Sequence, residues 1–259
     1  VLQLSTEKRN QFAELLKETS LTSIISASAL VTERLQFISF LETLLFDVEA
    51  KKHCKERSQL HKILAENTWV FGDEFSLSVS DQSLTEVLVK HKKMLDDNIV
   101  IDAPVTRIDG TRGIIDLMLS KSIHRNPKEG QEHLVVELKA PNVKIGVKEL
   151  NQIESYAFAI AEDERFRSIN TRWNFWIISS DLDELTKRKL KNNADGSLFN
   201  VDGITIWVKT WSEVIFENKN RLEFIKNKLE YNIDRESSFA RLKEKYAEFT
   251  QGIKTTFDK

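Results

Sequence analysis

Between residues 6 and 66 the chain contains neither glycine nor proline, and apolar side chains recur there at three- and four-residue spacing: Phe12, Leu15 and Leu16, then Leu35, Ile38, Leu41, Leu44 and Leu45. Lacking the two residues that most readily interrupt regular backbone, and with its apolar residues gathered on one stripe, this stretch predicts two or three helices. Leu60, Ile63 and Leu64, followed by Trp69 and Phe71, read as a further helix that Gly72 terminates. The whole 259-residue chain holds only 8 Gly and 3 Pro, which predicts an ordered, helix-rich fold with a core large enough to need no disulfide or structural metal.

The texture changes after residue 80. Ser80, Asp81, Gln82 and Ser83 offer helix-capping side chains, and Leu84, Val87, Leu88 and Met94 or Leu95 continue at helical spacing. Residues 99–101, 105–108 and 113–119 read as strands, with Asp109-Gly110 as a tight hairpin turn, and residues 133–139 form the next strand, ended by Ala140-Pro141. Residues 147–162 predict an amphipathic helix with Leu150, Ile153, Tyr156, Ala157 and Ile160 on one stripe. A buried strand over 173–180, a basic helix over 182–191 and a strand over 204–209 follow. From residue 211 to about 249 the pattern is helical again, with Leu222, Ile225, Leu229, Phe239, Leu242, Tyr246 and Phe249 spaced either to fold back on the domain or to meet a copy of itself. The expectation is an α+β chain (an α/β mixed sheet): an N-terminal helical region over 1–68, a domain over 69–215, and a C-terminal helical segment over 216–259 suited to oligomerisation.

Lys and Arg total 38 against 40 Asp and Glu, a formal charge of −2, so no bulk basic field announces nucleic acid. Any such surface must be local. Lys90, Lys92 and Lys93, Lys121 with His124 and Arg125, Lys144, and the run from Lys187 through Arg188 and Lys189 to Lys191 are the candidates, although solvated helix faces carry such clusters too. The lone Cys54 excludes an internal disulfide and a cysteine-rich zinc site, which fits the cytoplasm. His53, Cys54 and His61 want a fourth metal ligand and read as polar helix surface. The apolar run 24–31 is broken by Ser26 and Ser28, and no stretch reaches the roughly 20 apolar residues of a membrane span. The chain begins at Val1 in mid-pattern instead of at a methionine, which leaves a preceding domain open. Trp173, Trp176, Trp207 and Trp211 read as core aromatics in or beside strands, not as base-stacking platforms.

Chemistry is announced by charges where a strand should be greasy. Glu137 and Lys139 lie two apart, so they share a strand face while Val136 and Leu138 take the other. Asp116 is a lone carboxylate in the preceding apolar strand. Burying such groups is costly unless they bind each other or a ligand. If the two strands pair, Asp116 and Glu137 converge on a hard oxygen site suited to Mg2+ or Mn2+, which activates water and neutralises phosphate charge. Lys139 would orient that water or stabilise charge on phosphate oxygens. On the following helix Gln152 can hydrogen-bond the water, Lys139 or the phosphate, and Tyr156, four residues on, packs or hydrogen-bonds through its hydroxyl. The bland alternative is a buried ion-pair cluster without catalysis.

The order of an aspartate, Glu-x-Lys on a strand, then a helix with Gln-x-x-x-Tyr resembles the PD-(D/E)XK nuclease superfamily, whose core is a helix, a three-stranded antiparallel meander, a helix and a further strand. More narrowly, Glu56-Arg57-Ser58-Gln59-Leu60-His61, the stretch from Leu64 to Gly72, Glu74-Phe75, VVELKAP and the QIESY helix resemble the Shedu family of bacterial anti-phage nucleases. The resemblance implies a restriction-endonuclease-like core with helical additions at both ends. It also implies that Asp116, Glu137 and the carbonyl of Leu138 hold the metal, that Lys139 and Gln152 assist at the water, and that the protein is a homo-oligomer, a dimer or tetramer, acting on double-stranded more than single-stranded DNA. Some superfamily members add an acid from the first core helix; Glu86 is the positional candidate here and Glu74 a second. The competing function is a catalytically inactive nucleic-acid-binding or oligomerisation module on the same scaffold.

Overall fold

The computed structural model describes residues 5–95, 101–107, 109–125, 128–166, 171–191 and 196–258, without side chains from 123 to 129. Two serines start the N-terminal helices: the hydroxyl of Ser5 accepts the Lys8 amide to cap α1 (Thr6–Glu18), and that of Ser20 accepts the Ser23 amide to cap α2 (Leu21–Phe46). The short α3 (Ala50–His53), a π-helical turn (Glu56–Leu60), α4 (His61–Ala65) and a 3-10 turn (Thr68–Phe71) follow, so the glycine-free stretch is helical but more broken than its composition suggests. Gly72 ends it at φ 145°, a backbone setting that side chains disfavour.

α2 also corrects the sequence reading of its hydropathy. Its 26 residues are long and apolar enough to cross a membrane by length and composition, with an 18-residue stretch of mean hydropathy 1.3. Its C-terminal half instead enters the protein core, where Leu35, Ile38, Phe40, Leu41, Leu44 and Leu45 are buried, while Leu21, Ile25 and Leu30 remain exposed.

Among the described residues six strands form one mixed sheet in the order β1 (Ser76–Ser83), β2 (Ile114–Arg125), β3 (Lys128–Leu138), β5 (Thr171–Ser179), β8 (Ile204–Thr210) and β7 (Phe199–Val201). A separate two-residue pair joins β4 (Lys144–Ile145) to β6 (Asp181–Leu182). The first three strands are antiparallel and β3, β5 and β8 run parallel, which buries the central strands on both sides and explains their near-continuous apolar sequence. Helices α5 (Leu84–Met94), α6 (Val147–Glu162) and α7 (Glu184–Lys191) complete the central region. The capping expectation holds at Ser83, whose hydroxyl accepts the Glu86 amide.

The meander differs from the sequence reading in its first strand. That strand precedes α5 as β1 and is mostly polar, with Val79 its one buried apolar residue, so alternation does not reveal it. Residues 105–107 and 109–113 form no strand, although Arg107 and Thr111 close the expected turn with a 2.9 Å backbone bond. Residues 99, 100 and 108, also expected in strands, lie outside the described residues.

One sheet face packs Met118, Val135, Phe175, Ile177 and Ile206 against α5 and α6. The other packs Leu117, Leu119, Leu134, Val136, Leu138 and Ile178 against α2, α8 (Trp211–Leu229) and α9 (Arg235–Lys245). The C-terminal helices therefore fold back on the chain. Asn218 donates to the Val70 carbonyl at 2.9 Å, Asn67 donates to the Tyr246 hydroxyl at 2.8 Å, and Gln36 to the Tyr231 hydroxyl at 2.7 Å. Phe216 and Phe224 of α8 stay exposed.

Candidate active site

The antiparallel ladder of β2 and β3 ends with Leu117 opposite Val136, which leaves Asp116 and Glu137 as the next residue on each strand. Residues directly opposite share a sheet face, and the two carboxylates therefore lie on the same side. Asp116 Oδ2 accepts the Leu138 amide at 2.8 Å, which ties it to the end of β3. Glu137, 3% exposed, and Lys139, 8% exposed, are an ion pair at 2.7 Å. Beyond β3 the Lys139 amide continues the parallel ladder to the Ile178 carbonyl at 2.9 Å, and this holds its ammonium over the same face.

Gln152 reaches the pair from the second turn of α6. Its amide nitrogen donates to Glu137 Oε1 at 2.6 Å and to the Tyr156 hydroxyl at 2.9 Å, while its oxygen accepts from Lys139 Nζ at 2.9 Å. Tyr156 in turn donates to the Ile114 carbonyl at 2.7 Å. Gly113 makes room for that ring: a Cβ there would stand 3.2 Å from Tyr156 Cε1 and 2.8 Å from Leu84 Cδ1. Glu137 Oε1 thus has two donors, whereas Oε2 is buried and finds no hydrogen-bond partner among the described residues.

Desolvation dominates the electrostatics. It pushes the Asp116 carboxyl above the usual carboxylate range, assisted by the charge of Glu56, and pushes Glu137 up further, with Asp116 adding like-charge repulsion. The Lys139 ammonium, despite its own burial, is held above its ordinary value by Glu137, Glu56 and Asp116.

Glu56 was not among the acids picked out by pattern. It belongs to the π-helical turn, and its Oε2 accepts the Ala140 amide at 2.8 Å, directly after Lys139. Single π-turns inside helical segments recur at functional sites. The residues flanking Glu56 are themselves charged, so nothing in its own segment makes it anomalous; only its place in the ERSQLH stretch pointed there.

The other anticipated acids lie elsewhere. Glu74 pairs with Lys121 at 2.9 Å, and Glu86 is exposed in the first turn of α5 with no contact to the acid cluster among the described residues. Lys121 lies opposite Glu132, five residues back along β3 from Glu137, or roughly 17 Å. Lys90, Lys92 and Lys93 belong to the far end of α5, where His91 packs on His133. The side chain of Arg125 lies outside the described residues. Lys144 pairs with Asp181 at 2.7 Å, and β4 lies against the end of β5 through the hydrogen bond from Ser179 Oγ to the Val143 carbonyl. Cys54 is buried with its thiol pushed up to about 12 by desolvation, away from the exposed His53. Trp173 and Trp211 are buried, while Trp176 and Trp207 are only partly so.

Among the described residues no three of His, Cys, Asp and Glu cage a metal by themselves. Mg2+ does not require that, since it keeps several waters and takes one or two carboxylates. A buried carboxyl oxygen without a hydrogen-bond partner among the described residues, close enough to Asp116 for the two acids to raise each other's cost of ionising, fits such an ion.

Comparison with known proteins adds an independent line. The family described as Type I restriction enzyme R protein N terminus (HSDR_N) matches residues 78–164, which include Asp116, Glu137, Lys139, Gln152 and Tyr156 but not Glu56. No curated protein matches the chain. Among solved structures, the crystal structure of a repair endonuclease from Pyrococcus abyssi aligns at 15% identity with a TM-score of 0.31, covering 60% of this chain and 47% of that one. The alignment spans about half of that endonuclease. The stretch 78–164 is similar to a restriction-enzyme nuclease-domain family, set in a mixed α+β fold with helices on both sides of a six-stranded sheet.

Proposed function

We propose that this protein is a metal-dependent endonuclease of PD-(D/E)XK type that hydrolyses DNA phosphodiester bonds, with the Shedu resemblance pointing to defence against phage. The reading rests above all on the buried Oε2 of Glu137, without a hydrogen-bond partner among the described residues, in a carboxyl that feels the charge of Asp116. Asp116, Glu137 and the Leu138 carbonyl would hold Mg2+ or Mn2+, which when bound supplies charge neutralisation at the phosphate and a more acidic water. Lys139 uses two of its N–H groups on Glu137 and Gln152, so the third is left to steady a developing oxyanion. Gln152 fixes both partners through its amide. Glu56, anchored by the Ala140 amide, adds a third carboxylate able to take a proton from the attacking water.

The test is incubation with linear, circular and single-stranded DNA, and with RNA, with and without magnesium, beside Lys139→Ala and Glu137→Ala. Magnesium-dependent cutting by the wild type, lost in both folded variants, is expected. Undiminished cutting by both variants would remove the site assignment, and a folded wild type that binds no divalent metal and cuts nothing would favour a non-catalytic binding module.

A further inference from the structure

Arg107 is a part-buried cation with no ion-pair partner among the described residues. It lies on the connection between α5 and β2, on a turn closed by the Arg107 amide to the Thr111 carbonyl and by the Gly110 amide to the Arg107 carbonyl, both at 2.9 Å. Gly110 supplies the positive φ of 77° that this turn needs. The guanidinium lies 4.8 Å from the Tyr156 ring centroid, and Nη2 donates to the Tyr156 hydroxyl at 3.1 Å. Its Nε is buried and has no acceptor among the described residues.

Other part-buried arginines are neutralised. Arg34 meets Asp73 at 2.6 Å, and Arg165 meets Asp163 at 2.6 Å and Asp102 at 3.0 Å. Arg107 has no carboxylate within 4.0 Å among the described residues; its neighbour Asp109 turns instead to the amide and hydroxyl of Thr111. A guanidinium stays charged at any working pH, and removing it from water without an anion is costly. That cost is borne three hydrogen bonds from the acid cluster, through Tyr156 and Gln152 to Glu137.

We propose that Arg107 is a substrate-binding residue that grips a phosphodiester oxygen of DNA beside the scissile phosphate; the proposal rests on the nuclease reading above. Asp116, Glu137 and Glu56 gather around Lys139, and the nearby Arg57 is engaged by Asp81, so a polyanion needs a further fixed cation to approach the site. Arg107, braced on Tyr156 and with N–H donors to spare, supplies that charge in a geometry suited to phosphate.

The experiment is fluorescence anisotropy with a labelled DNA duplex, calcium replacing magnesium so that binding is read without cleavage, at several salt concentrations. Arg107→Gln should bind roughly tenfold more weakly, and its plot of log affinity against log salt should be shallower by about one. A scan placing one neutral methylphosphonate at a time should find a position that weakens the wild type and leaves Arg107→Gln unaffected. Arg107→Lys, which keeps the charge but not the fork, should recover part of the affinity; it also carries the scan if a melting curve shows Arg107→Gln unfolded, with a smaller penalty than wild type at that position. Equal affinity, salt slope and methylphosphonate profile in the folded variant overturn the proposal while the nuclease reading stands. A wild type that neither binds nor cuts DNA overturns both.

Discussion

His133 and Glu137 point to the same face of β3, four residues apart, and both are buried, yet their surroundings answer burial in opposite ways. The imidazole of His133 is bonded on both nitrogens, to Ser120 Oγ at 2.8 Å and His91 Nδ1 at 2.9 Å, and packs at a tilt on Trp173 with ring centroids 4.3 Å apart. Desolvation, with His91 adding to it, drives its pKa down to about 3, so the His133 ring is neutral. Glu137 keeps one oxygen unbonded beside a second acid. Burial of polar groups therefore does not by itself mark a site; charge imbalance at the end of a strand does.

The comparison can be broken most directly by activity. Lys139→Ala and Glu137→Gln should each lower DNA cutting at least about a hundredfold, measured as single-turnover rates at saturating magnesium. His133→Ala should instead cost about 3 kcal/mol of stability, a loss of the size seen when a large buried ring is removed, while cutting per folded molecule stays within a few-fold of wild type. Urea titrations and rates on the same samples separate the two, and a His133→Ala enzyme that is stable but inactive would erase the distinction drawn here.

Acidity offers a second, smaller effect with opposite signs. Asp116 and Glu137 have folded pKa values raised above their unfolded ones, so their stabilisation is complete in acid and fades as pH rises through neutrality. His133 is depressed from 6.5, so its stabilisation is present above 6.5 and fades as pH falls toward 3. Above 6.5 only the acid pair still changes. Metal-free wild type should consequently lose a few degrees of Tm, roughly 2–4 °C per kcal/mol, between pH 6.5 and 8; Glu137→Gln should lose less, and magnesium should restore the wild type. A parallel decline in both proteins would show that the acids are not the cause. Further expected effects are a roughly hundredfold loss of rate in Glu56→Gln, the low end for a lost proton acceptor, and about tenfold in Gln152→Ala, the size of a lost hydrogen bond, with the thermal midpoint nearly unchanged. An inactive but well-folded Glu56→Gln would move Glu56 from an assisting to an indispensable role.

How much of this was legible beforehand follows from where each signal resides. Asp116, Glu137 and Lys139 stood out because a charge inside an apolar strand is anomalous at the level of the sequence itself, and strand periodicity fixes which face it takes. Gln152 and Tyr156 followed from helical spacing on the next element. β1 was hidden because a polar edge strand has too little buried surface to print an alternation, and its identity comes from backbone pairing to β2.

Glu56 and Arg107 were hidden for another reason. Each is an ordinary charged residue in its own segment and becomes unusual only when the chain carries it beside groups distant in sequence: Glu56 to Ala140, Arg107 to Tyr156. The sequence by itself determined the strand-borne charges, the helices that flank them and the mixed α+β class, because periodicity and burial cost are local properties. Only the tertiary structure decided which acid and which cation complete the cluster, since electrostatic energy depends on distance through space and not on separation along the chain.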